Sequence, residues 1–242
     1  MTQLPKGADA VAVIIPVLNE AEALPRVLAS IPSWVAHVIV ADNGSSDGSG
    51  DIARRAGAIV VEEPRRGYGS ACMKALAALP DDVGVVVFMD GDASDDTTEM
   101  TGLVDPIRNG EADMVLGSRV MGVREHGALT VQQIFGNALA CSLIRIIWGV
   151  RFTDLGPFRA IGRQALARLA MADPDYGWTV EMQVRAAKVG LRCLEIPARY
   201  RRRIGTSKVS GTIRGVVGAG TKILYVIGRE ALGGSSLARS PT

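Results

Sequence analysis

Two aspartates one residue apart follow an apolar run near the middle of the chain. The segment VVVFMDGDASDD, residues 85–96, passes directly from apolar residues to Asp90 and Asp92, which flank Gly91. Residues two apart in an extended backbone point the same way, and like charges at that spacing repel unless a cation or water screens them. Such a pair suits a hard divalent cation, Mg²⁺ or Mn²⁺, with phosphate co-ligands. The alternative is an acidic turn in which residues 94–96 cap the next helix.

Two further loops contain residue types suited to a nucleotide site. The loop DNGSSDGS begins with Asp42, which can accept a hydrogen bond from a base or ribose, or form a turn and helix cap. The segment PRRGYGSACMKAL places Gly67 at the start of a predicted helix carrying Lys74, which indicates an anion site or, alternatively, a flexible loop with solvated arginines. No G-x-G-x-x-G follows the first strand and no P-loop occurs, which excludes a P-loop ATPase.

The elements that must position these loops alternate along the first half of the chain. Apolar, β-branched runs predict strands at residues 10–17, 37–42, 58–63, 83–90 and 112–119, and helical spacing predicts helices at 20–30, 51–56, 68–79 and 97–108. This alternation predicts an α/β fold with a mostly parallel, Rossmann-like sheet and helices on both faces. Ligands bind beyond the carboxyl ends of the strands in such sheets, so the polar loops mark the candidate site.

The second half of the chain departs from this alternation. Its pattern predicts a helix at 131–148, a short strand within 154–161, helices at 163–171 and 178–189, an extended segment at 191–203 and a last, amphipathic helix at 212–232. Residues 233–242 are predicted to form a disordered tail. We interpret residues 1–232 as one domain.

The composition is that of a globular protein with a substantial core. The 242 residues are 48% hydrophobic and 21% charged, and the net charge of +2 is too small to indicate nucleic acid binding. Cys72, Cys141 and Cys193 form no C-x-x-C pair, which argues against a disulfide framework or a zinc site and favours a reducing, cytosolic compartment.

Two apolar segments bear on membrane contact. Residues 127–144 contain Gln132, Gln133 and Asn137, so we interpret them as a core helix rather than a transmembrane span. Residues 215–228 are interpreted as a helix packed on its own domain, with a helix on the membrane surface as the alternative. No signal peptide is predicted.

Several motifs, in order, resemble a known family. VIIPVLNEAEALPRVL, VIVADNGSSDGS, GYGSACMKAL, FMDGDASDD and LGSR look like family 2 of the inverting glycosyltransferases. TDLGPFRAIGRQAL, YGWTVEMQVRAAKVGL and YRRRIGTSKVSG resemble its dolichyl- and polyprenyl-phosphate mannose or glucose synthase branch. The resemblance implies a GT-A fold in which residues 10–119 form the nucleotide-sugar-binding half and residues 120–232 the acceptor-binding half.

The resemblance also implies roles for matching positions. The donor- and phosphate-binding positions are then Pro16, Glu20, Asp42, Gly67, Lys74, Asp90, Gly91, Arg203, Ser207 and Lys208. The implied metal ligands are Asp90 and Asp92, with Mg²⁺ or Mn²⁺ as the cofactor, and the implied catalytic residues are Asp154, Asp92 and Arg119. A metal ion and cationic side chains would stabilise the departing diphosphate as its charge develops.

Two acidic residues of the second half have open roles. In relatives that glycosylate hydroxyl groups, an aspartate near Asp154 is the general base, whereas a phosphate acceptor needs little base help and leaves it to orient the sugar or acceptor. A turn aspartate is the third interpretation. Glu181 either reaches sugar hydroxyls or pairs with Arg185. The basic run 199–208 is interpreted as phosphate-binding, because Tyr200 is its only aromatic residue for stacking on nucleic acid.

Two positions depart from the family pattern. Asn43 stands where many relatives have a second aspartate, which bears on the nucleoside pocket. Gln132 and Gln133 are neutral where polyprenyl-phosphate synthases usually have an arginine, which bears on the lipid-phosphate acceptor.

These observations predict a metal-dependent, inverting hexosyltransferase that uses a UDP- or GDP-hexose. The expected acceptor is a polyprenyl phosphate, which would bring a cytoplasmic protein to the inner face of a membrane; a hydroxyl acceptor with Asp154 as base is the alternative. A sugar-nucleotide pyrophosphorylase is disfavoured because PVLNEAEAL is not a glycine-rich, basic loop. A nucleotide-sugar-binding homologue without turnover is the non-enzymatic alternative. No nucleic acid partner is expected, and the sequence leaves the base, the sugar and the oligomeric state open.

Overall fold

Seven strands form one sheet through the described part of the molecule. The computed structural model describes residues 9–205 and 213–233, so Ser207, Lys208 and the predicted tail from residue 234 onward lie outside the described residues. The strands are β1 (Ala10–Val17), β2 (His37–Asp42), β3 (Ile59–Glu62), β4 (Val83–Phe88), β5 (Met114–Ser118), β6 (Arg159–Gly162) and β7 (Cys193–Pro197). Their order is β3-β2-β1-β4-β6-β5-β7. In this part of the chain β6 alone runs antiparallel to its neighbours, so the predicted mostly parallel sheet is confirmed.

Helices cover both faces of the sheet, as the alternating pattern predicts. They are α1 (Leu24–Ser30), α2 (Ser49–Arg55), α3 (Tyr68–Leu76), α4 (Met100–Arg108), α5 (Val131–Trp148), α6 (Arg163–Leu169), α7 (Trp178–Lys188) and α8 (Ile213–Leu232). A 3₁₀ turn, Thr97–Glu99, leads into α4. Residues of α3 and of α5 to α8 share one core with one face of the sheet, and residues of α1, α2 and α4 share a second core with the other face.

The apolar character of the central strands follows from this two-sided cover. Every residue of β4 is buried, and β1 contributes Ala12 and Ile14 to one core and Val13 and Ile15 to the other. A strand covered on both faces has no solvent face and therefore shows a continuous apolar run. Burial of each such Val or Ile side chain contributes about 1.5–3 kcal/mol to the stability of the fold, so β1 and β4 are stable elements that position the loops after them.

The helix that the sequence indicated as a core helix is mostly exposed, so that prediction is wrong. α5 buries Ala140, Cys141 and Ile144, whereas Val131 and Phe135 are 78% and 69% exposed. Its 18 residues are long and apolar enough to cross a membrane, and 17% of them are buried. The apolar side chains of α5 lie almost all around the helix, so their spacing cannot identify the side that packs on the protein. A capping box between Thr130 and Gln133 begins the helix.

The order of the strands creates a crevice at the carboxyl ends of the central strands β1 and β4. From β1 the chain builds β2 and β3 outward on one side and then places β4 on the other side of β1. After β1 the chain therefore continues toward β2, and after β4 it continues toward β5 on the other side, so a crevice lies between the loops that follow β1 and β4. In open α/β sheets this switch point is where ligands bind.

Candidate active site

A cleft of about 420 Å³ occupies this crevice. The loop after β1, the start of α3, the loop after β4 and the segment before α7 all line it. The sequence-predicted residues on its surface are Pro16, Glu20, Gly67, Asp90, Gly91, Asp92 and Arg203. The cleft lining does not include Asp42, Lys74, Arg119 and Asp154. Of the predicted site residues that the structure describes, it therefore brings most but not all together.

Asp90 and Asp92 stand on a turn whose shape is fixed by its own hydrogen bonds. The Asp90 N–H donates to the carboxylate of Asp95 at 3.1 Å, and Oδ1 of Asp92 accepts from the N–H and the hydroxyl of Ser94 at 3.0 and 2.5 Å. The cap of the following 3₁₀ turn is Asp96. The capping predicted above for residues 94–96 is thus confirmed at Asp96, and neither Asp90 nor Asp92 caps this turn.

Burial and neighbouring negative charges disfavour the ionised forms of the carboxyl groups on this turn. Burial and the Asp92 and Asp95 carboxylates raise the pKa of Asp90 well above its usual value, and the charges of Arg119 and Arg203 act in the opposite direction. Burial and Asp92 likewise raise the pKa of Asp95 to about 7. A cation beside these carboxylates would favour their charged forms.

Arg203 joins the loops after β1 and β4. Its guanidinium lies 2.7 Å from a carboxylate oxygen of Glu20 and 3.3 Å from one of Asp92. The N–H of the next residue, Ile204, donates to the backbone carbonyl of Asp92 at 2.9 Å. The basic segment after β7 is therefore part of the cleft wall at this residue.

The charges on the cleft surface match one divalent cation. Four carboxyl groups and two guanidinium groups line it. If all four carboxyl groups are ionised, as a bound cation would favour, the surface has an excess of two negative charges. The groups belong to Glu20, Asp90, Asp92, Asp175, Arg66 and Arg203. Within residues 9–205 and 213–233 no group of three or more His, Cys, Asp or Glu side chains forms a metal site by itself. A cation held by Asp90 and Asp92 would therefore need ligand or water oxygens to complete its coordination, and diphosphate oxygens meet that need. The residues present fit Mg²⁺ or Mn²⁺ in this way.

Asn43, noted above as a departure from the family, organises the cleft wall. Its Nδ2 donates to the backbone carbonyls of Glu63 and Arg65 at 2.9 and 2.7 Å, and its Oδ1 accepts from the Gly67 N–H at 2.8 Å. An aspartate has no N–H to donate to two carbonyls, so this arrangement requires the amide. The neighbouring Asp42 accepts from the Ser45 N–H within its own loop at 2.7 Å.

Arg119 and Asp154 form a buried pair beside the cleft rather than on its surface. Nε and an Nη of Arg119 donate to the two carboxylate oxygens of Asp154, each at 2.7 Å, and the Arg119 N–H adds a third bond at 2.8 Å. Asp154 is 1% exposed. Burial alone would raise its pKa, but hydrogen bonds and charge from Arg119 outweigh burial and lower it. The Arg119 guanidinium also lies 5.1 Å from the ring centre of Tyr200, a cation–π contact.

Comparison with known proteins decides the family of the chain. The model of glycosyl transferase family 2 matches residues 12–168. The chain belongs to glycosyltransferase family 2. It is 38% identical over 214 residues to an uncharacterized glycosyltransferase of Mycobacterium tuberculosis, which is 87% of this chain and 94% of that protein. It is 33% identical over 218 residues to an undecaprenyl-phosphate mannosyltransferase of Micrococcus luteus, covering 84% of this chain and 88% of that protein.

A solved structure confirms the predicted GT-A fold of this family 2 glycosyltransferase. The glucosyl-3-phosphoglycerate synthase of Mycobacterium tuberculosis, crystallised with Mn²⁺, UDP and phosphoglyceric acid, superimposes with a TM-score of 0.73. The match covers 92% of this chain and 78% of that chain at 22% identity.

The glycines at the start of α3 allow a distant loop to approach this glycosyltransferase cleft. A Cβ at Gly67 would overlap the carbonyl oxygen of Pro174, and one at Gly69 would overlap that of Asp173. The Ser70 N–H donates to the Pro174 carbonyl at 2.8 Å. The sequence suggested an anion site at this helix start, and the structure shows that the N–H groups of Gly67 and Ser70 already donate to oxygens of the protein.

This loop brings in cleft residues that sequence reasoning missed. Asp175 and Tyr176 line the cleft, and so does Tyr68, whose hydroxyl is buried without a hydrogen-bond partner among the described residues. Tyr68 stands between the two glycines of the GYG motif, which is a local signal for it. Asp175 and Tyr176 come from about a hundred residues further along the chain and have no local signal.

Replacing Gly69 with alanine is expected to lower the free energy of unfolding by about 1–3 kcal/mol, because the new methyl group would overlap the Asp173 carbonyl oxygen. Urea denaturation measures the change. The control is Gly136→Ala on α5, where a Cβ meets nothing within 4 Å, and that variant should be neutral or slightly stabilised. Equal stability of the two variants would contradict the packing described here.

The remaining arginines of the basic run bind acidic or carbonyl groups of the protein itself. Arg201 lies 2.6 Å from a carboxylate oxygen of Asp96, and Arg202 donates to the carbonyl of His126 at 2.6 Å. Arg203 is the member of the described run that lines the cleft. Within the described residues, the interpretation of this run as a phosphate site therefore rests on Arg203.

Glu181 is fully buried and lies outside the cleft lining. It pairs with Arg185 at 3.0 Å, which is one of the two roles proposed from the sequence, and also with Arg229 of α8 at 2.8 Å. Its other oxygen accepts from the N–H groups of Ala172 and Asp173. Glu181 thus anchors the loop that carries Asp175 and Tyr176.

Proposed function

We propose that the protein is an inverting hexosyltransferase that takes the sugar from a UDP- or GDP-hexose with Mg²⁺ or Mn²⁺ at Asp90 and Asp92. The observation that carries this proposal is a cleft at the switch point of the sheet that is lined by four carboxyl groups and two guanidinium groups. A nucleoside diphosphate is itself an anion, so it requires a cation to enter an acidic cleft. The Mn²⁺ and UDP of the structurally similar synthase support this proposal.

The residues of the cleft would act on the departing diphosphate. Asp90 and Asp92 would hold the metal ion, which supplies positive charge to the phosphate oxygens. Arg203 already lies between Glu20 and Asp92, so it is placed to donate hydrogen bonds to the same oxygens as the bond between sugar carbon and phosphate oxygen breaks. The acceptor oxygen forms the new bond from the opposite face of the sugar, which inverts the anomeric centre.

The state of Asp154 favours an acceptor that needs no base. Both of its oxygens accept hydrogen bonds from Arg119, and its lowered pKa makes it a poor proton acceptor. A phosphate acceptor is already ionised and attacks without losing a proton. We therefore assign Asp154 the role of holding Arg119 in place and propose a lipid-linked phosphate as the acceptor, as in the undecaprenyl-phosphate mannosyltransferase relative.

The exposed side of α5 supports a lipid acceptor. The apolar residues exposed on this helix, here called the α5 face, are Val131, Ile134, Phe135, Leu139, Ile146 and Ile147. Asn137 of the same helix donates to the Thr153 carbonyl at 2.9 Å and accepts from the Leu155 N–H at 2.8 Å, on either side of Asp154. An apolar helix tied to the proposed acceptor side suits peripheral contact with the inner face of a membrane.

Transfer of labelled hexose from UDP-glucose, GDP-mannose and related donors to undecaprenyl phosphate, with Mn²⁺ and then with chelator, tests the function. We expect one donor class to give a lipid-linked product that depends on the metal. Equal rates with and without chelator, or transfer to hydroxyl acceptors alone, would overturn the proposal.

Replacing Phe135 with glutamate is expected to weaken binding to vesicles of anionic phospholipid by about tenfold or more, because a large exposed apolar side chain on the α5 face is lost and a negative charge added. Sedimentation with the vesicles measures it. The matched control is Ile59→Glu on β3, where the exposed isoleucine lies at the far edge of the sheet. If Phe135→Glu and wild type sediment alike, the α5 face does not contact lipid.

A further inference from the structure

The last helix is tied by charge to the loop that carries Asp175 and Tyr176. Asp173 at the start of this loop is fully buried, and Nζ of Lys222 on α8 lies 3.0 Å from its Oδ2. The distance is that of an ion pair, but the geometry between Nζ and Oδ2 is not that of a hydrogen bond. Of the described residues, Lys222 supplies the one cation paired with this carboxylate.

The other oxygen of Asp173 shapes the cleft wall directly. Oδ1 accepts from the Asp175 N–H at 2.9 Å, so the carboxylate lies between Lys222 on one side and the cleft segment on the other. The carbonyl of Pro174, the residue between Asp173 and Asp175, accepts a hydrogen bond from the Ser70 N–H of α3. The cleft positions of Asp175 and Tyr176 therefore depend on where the Asp173 carboxylate lies.

We infer that Lys222 is a positioning residue for the donor cleft, and that it acts by holding Asp173 and thereby the wall formed by Asp175 and Tyr176. This inference rests on the proposed nucleotide-binding function of the cleft. A buried carboxylate that loses its partner cation is strongly unfavourable. Without Lys222, Asp173 is expected to turn toward water and to carry the Asp175 N–H with it, which moves the wall that the nucleotide would contact.

The helix has a second charged contact that serves as a matched control. Lys188 of α7 lies 2.8 Å from a carboxylate oxygen of Glu230 on α8, so it joins the same two helices. None of its contacts reaches the loop at 173–176 in the described residues. A loss that comes only from loosening α8 should appear in Lys188→Met as well as in Lys222→Met.

The test measures the dissociation constants of UDP and GDP in Mn²⁺ by calorimetry, beside thermal melting. Lys222→Met is expected to weaken the binding of the nucleotide that wild type binds by about tenfold. Lys222→Arg is expected to bind that nucleotide within about threefold of wild type, and Lys188→Met is expected to bind it as wild type does. In the Asp173→Asn background, where Oδ1 remains as an acceptor, Lys222→Met should add little because no buried charge is left.

The outcomes separate the two claims. Wild type that binds neither nucleotide refutes the proposed function, and the inference falls with it. Wild type that binds while Lys222→Met binds equally well refutes the inference alone, and so does an equal loss in Lys222→Met and Lys188→Met. If Lys222→Met does not fold, the nucleotide affinities of Asp173→Asn and of the double variant Asp173→Asn/Lys222→Met are compared instead. A further loss of affinity in the double variant would overturn the inference.

Discussion

Replacing Asp92 with asparagine is expected to lower the kcat/KM for donor turnover by at least about a hundredfold. The metal ion proposed for this site is worth several kcal/mol of charge stabilisation on the departing diphosphate, and each 1.4 kcal/mol is about tenfold in rate. Asparagine keeps Oδ1 as the acceptor for Ser94, so the turn keeps its hydrogen bonds, while the charge and the ion pair of Oδ2 with Arg203 are removed. Steady-state transfer at several Mn²⁺ concentrations measures the loss.

Asp96 offers a matched control for this substitution within the same loop. It is buried like Asp92, but it caps the 3₁₀ turn, pairs with Arg201 and is not on the cleft surface. Asp96→Asn should cost stability and keep turnover within several-fold of wild type. If Asp92→Asn keeps the donor turnover and the Mn²⁺ dependence of wild type, the assignment of this carboxylate is wrong.

Replacing Arg119 with methionine is expected to lower the free energy of unfolding by about 3–5 kcal/mol at neutral pH, because it leaves the Asp154 carboxylate buried without its partner. The folded pKa of Asp154 is lowered, since the bonds and charge of Arg119 outweigh burial. The stabilisation is therefore complete above the ordinary carboxyl pKa and is lost as the pH falls through the lowered folded value. Urea denaturation at several pH values should show the two proteins converging in acid.

A surface pair provides the control for the Arg119 substitution. Arg54 lies 2.9 Å from a carboxylate oxygen of Asp51 and 2.6 Å from one of Glu62, with all three side chains well exposed. Exposed pairs are screened by water and salt, so Arg54→Met should leave stability nearly unchanged. Losses of similar size in the two variants, or a loss for Arg119→Met that does not depend on pH, would contradict the account of the buried pair.

The elements that position the site follow from patterns that are local in the sequence. The apolar runs at 10–17 and 83–90 predict β1 and β4, because strands buried on both faces show no alternation. Asp90 and Asp92 then follow from their place just after β4. The position of this pair in the cleft could be predicted because the strand, the turn and the acidic pair lie within a dozen residues of one another, and its role as a metal ligand stays a prediction.

The features that sequence reasoning missed depend on contacts between distant residues. Asp175 reaches the cleft only because Gly67 and Gly69 let its loop pack on α3. The hydrogen bonds between Arg119 and Asp154 join residues 35 positions apart, and the proposal that Asp154 does not act as a base rests on them. The exposure of α5 depends on which neighbours cover it, and spacing along the helix gives no information about that.

The measurement that tests the central claim most directly is anomalous diffraction at the manganese edge from crystals grown with Mn²⁺ and the nucleoside diphosphate that the protein binds. We predict manganese in the cleft after Gly91, bonded to at least one carboxylate of Asp90 or Asp92 and to the diphosphate. A nucleotide bound in the cleft with no manganese beside these aspartates, or manganese held only elsewhere, would contradict it.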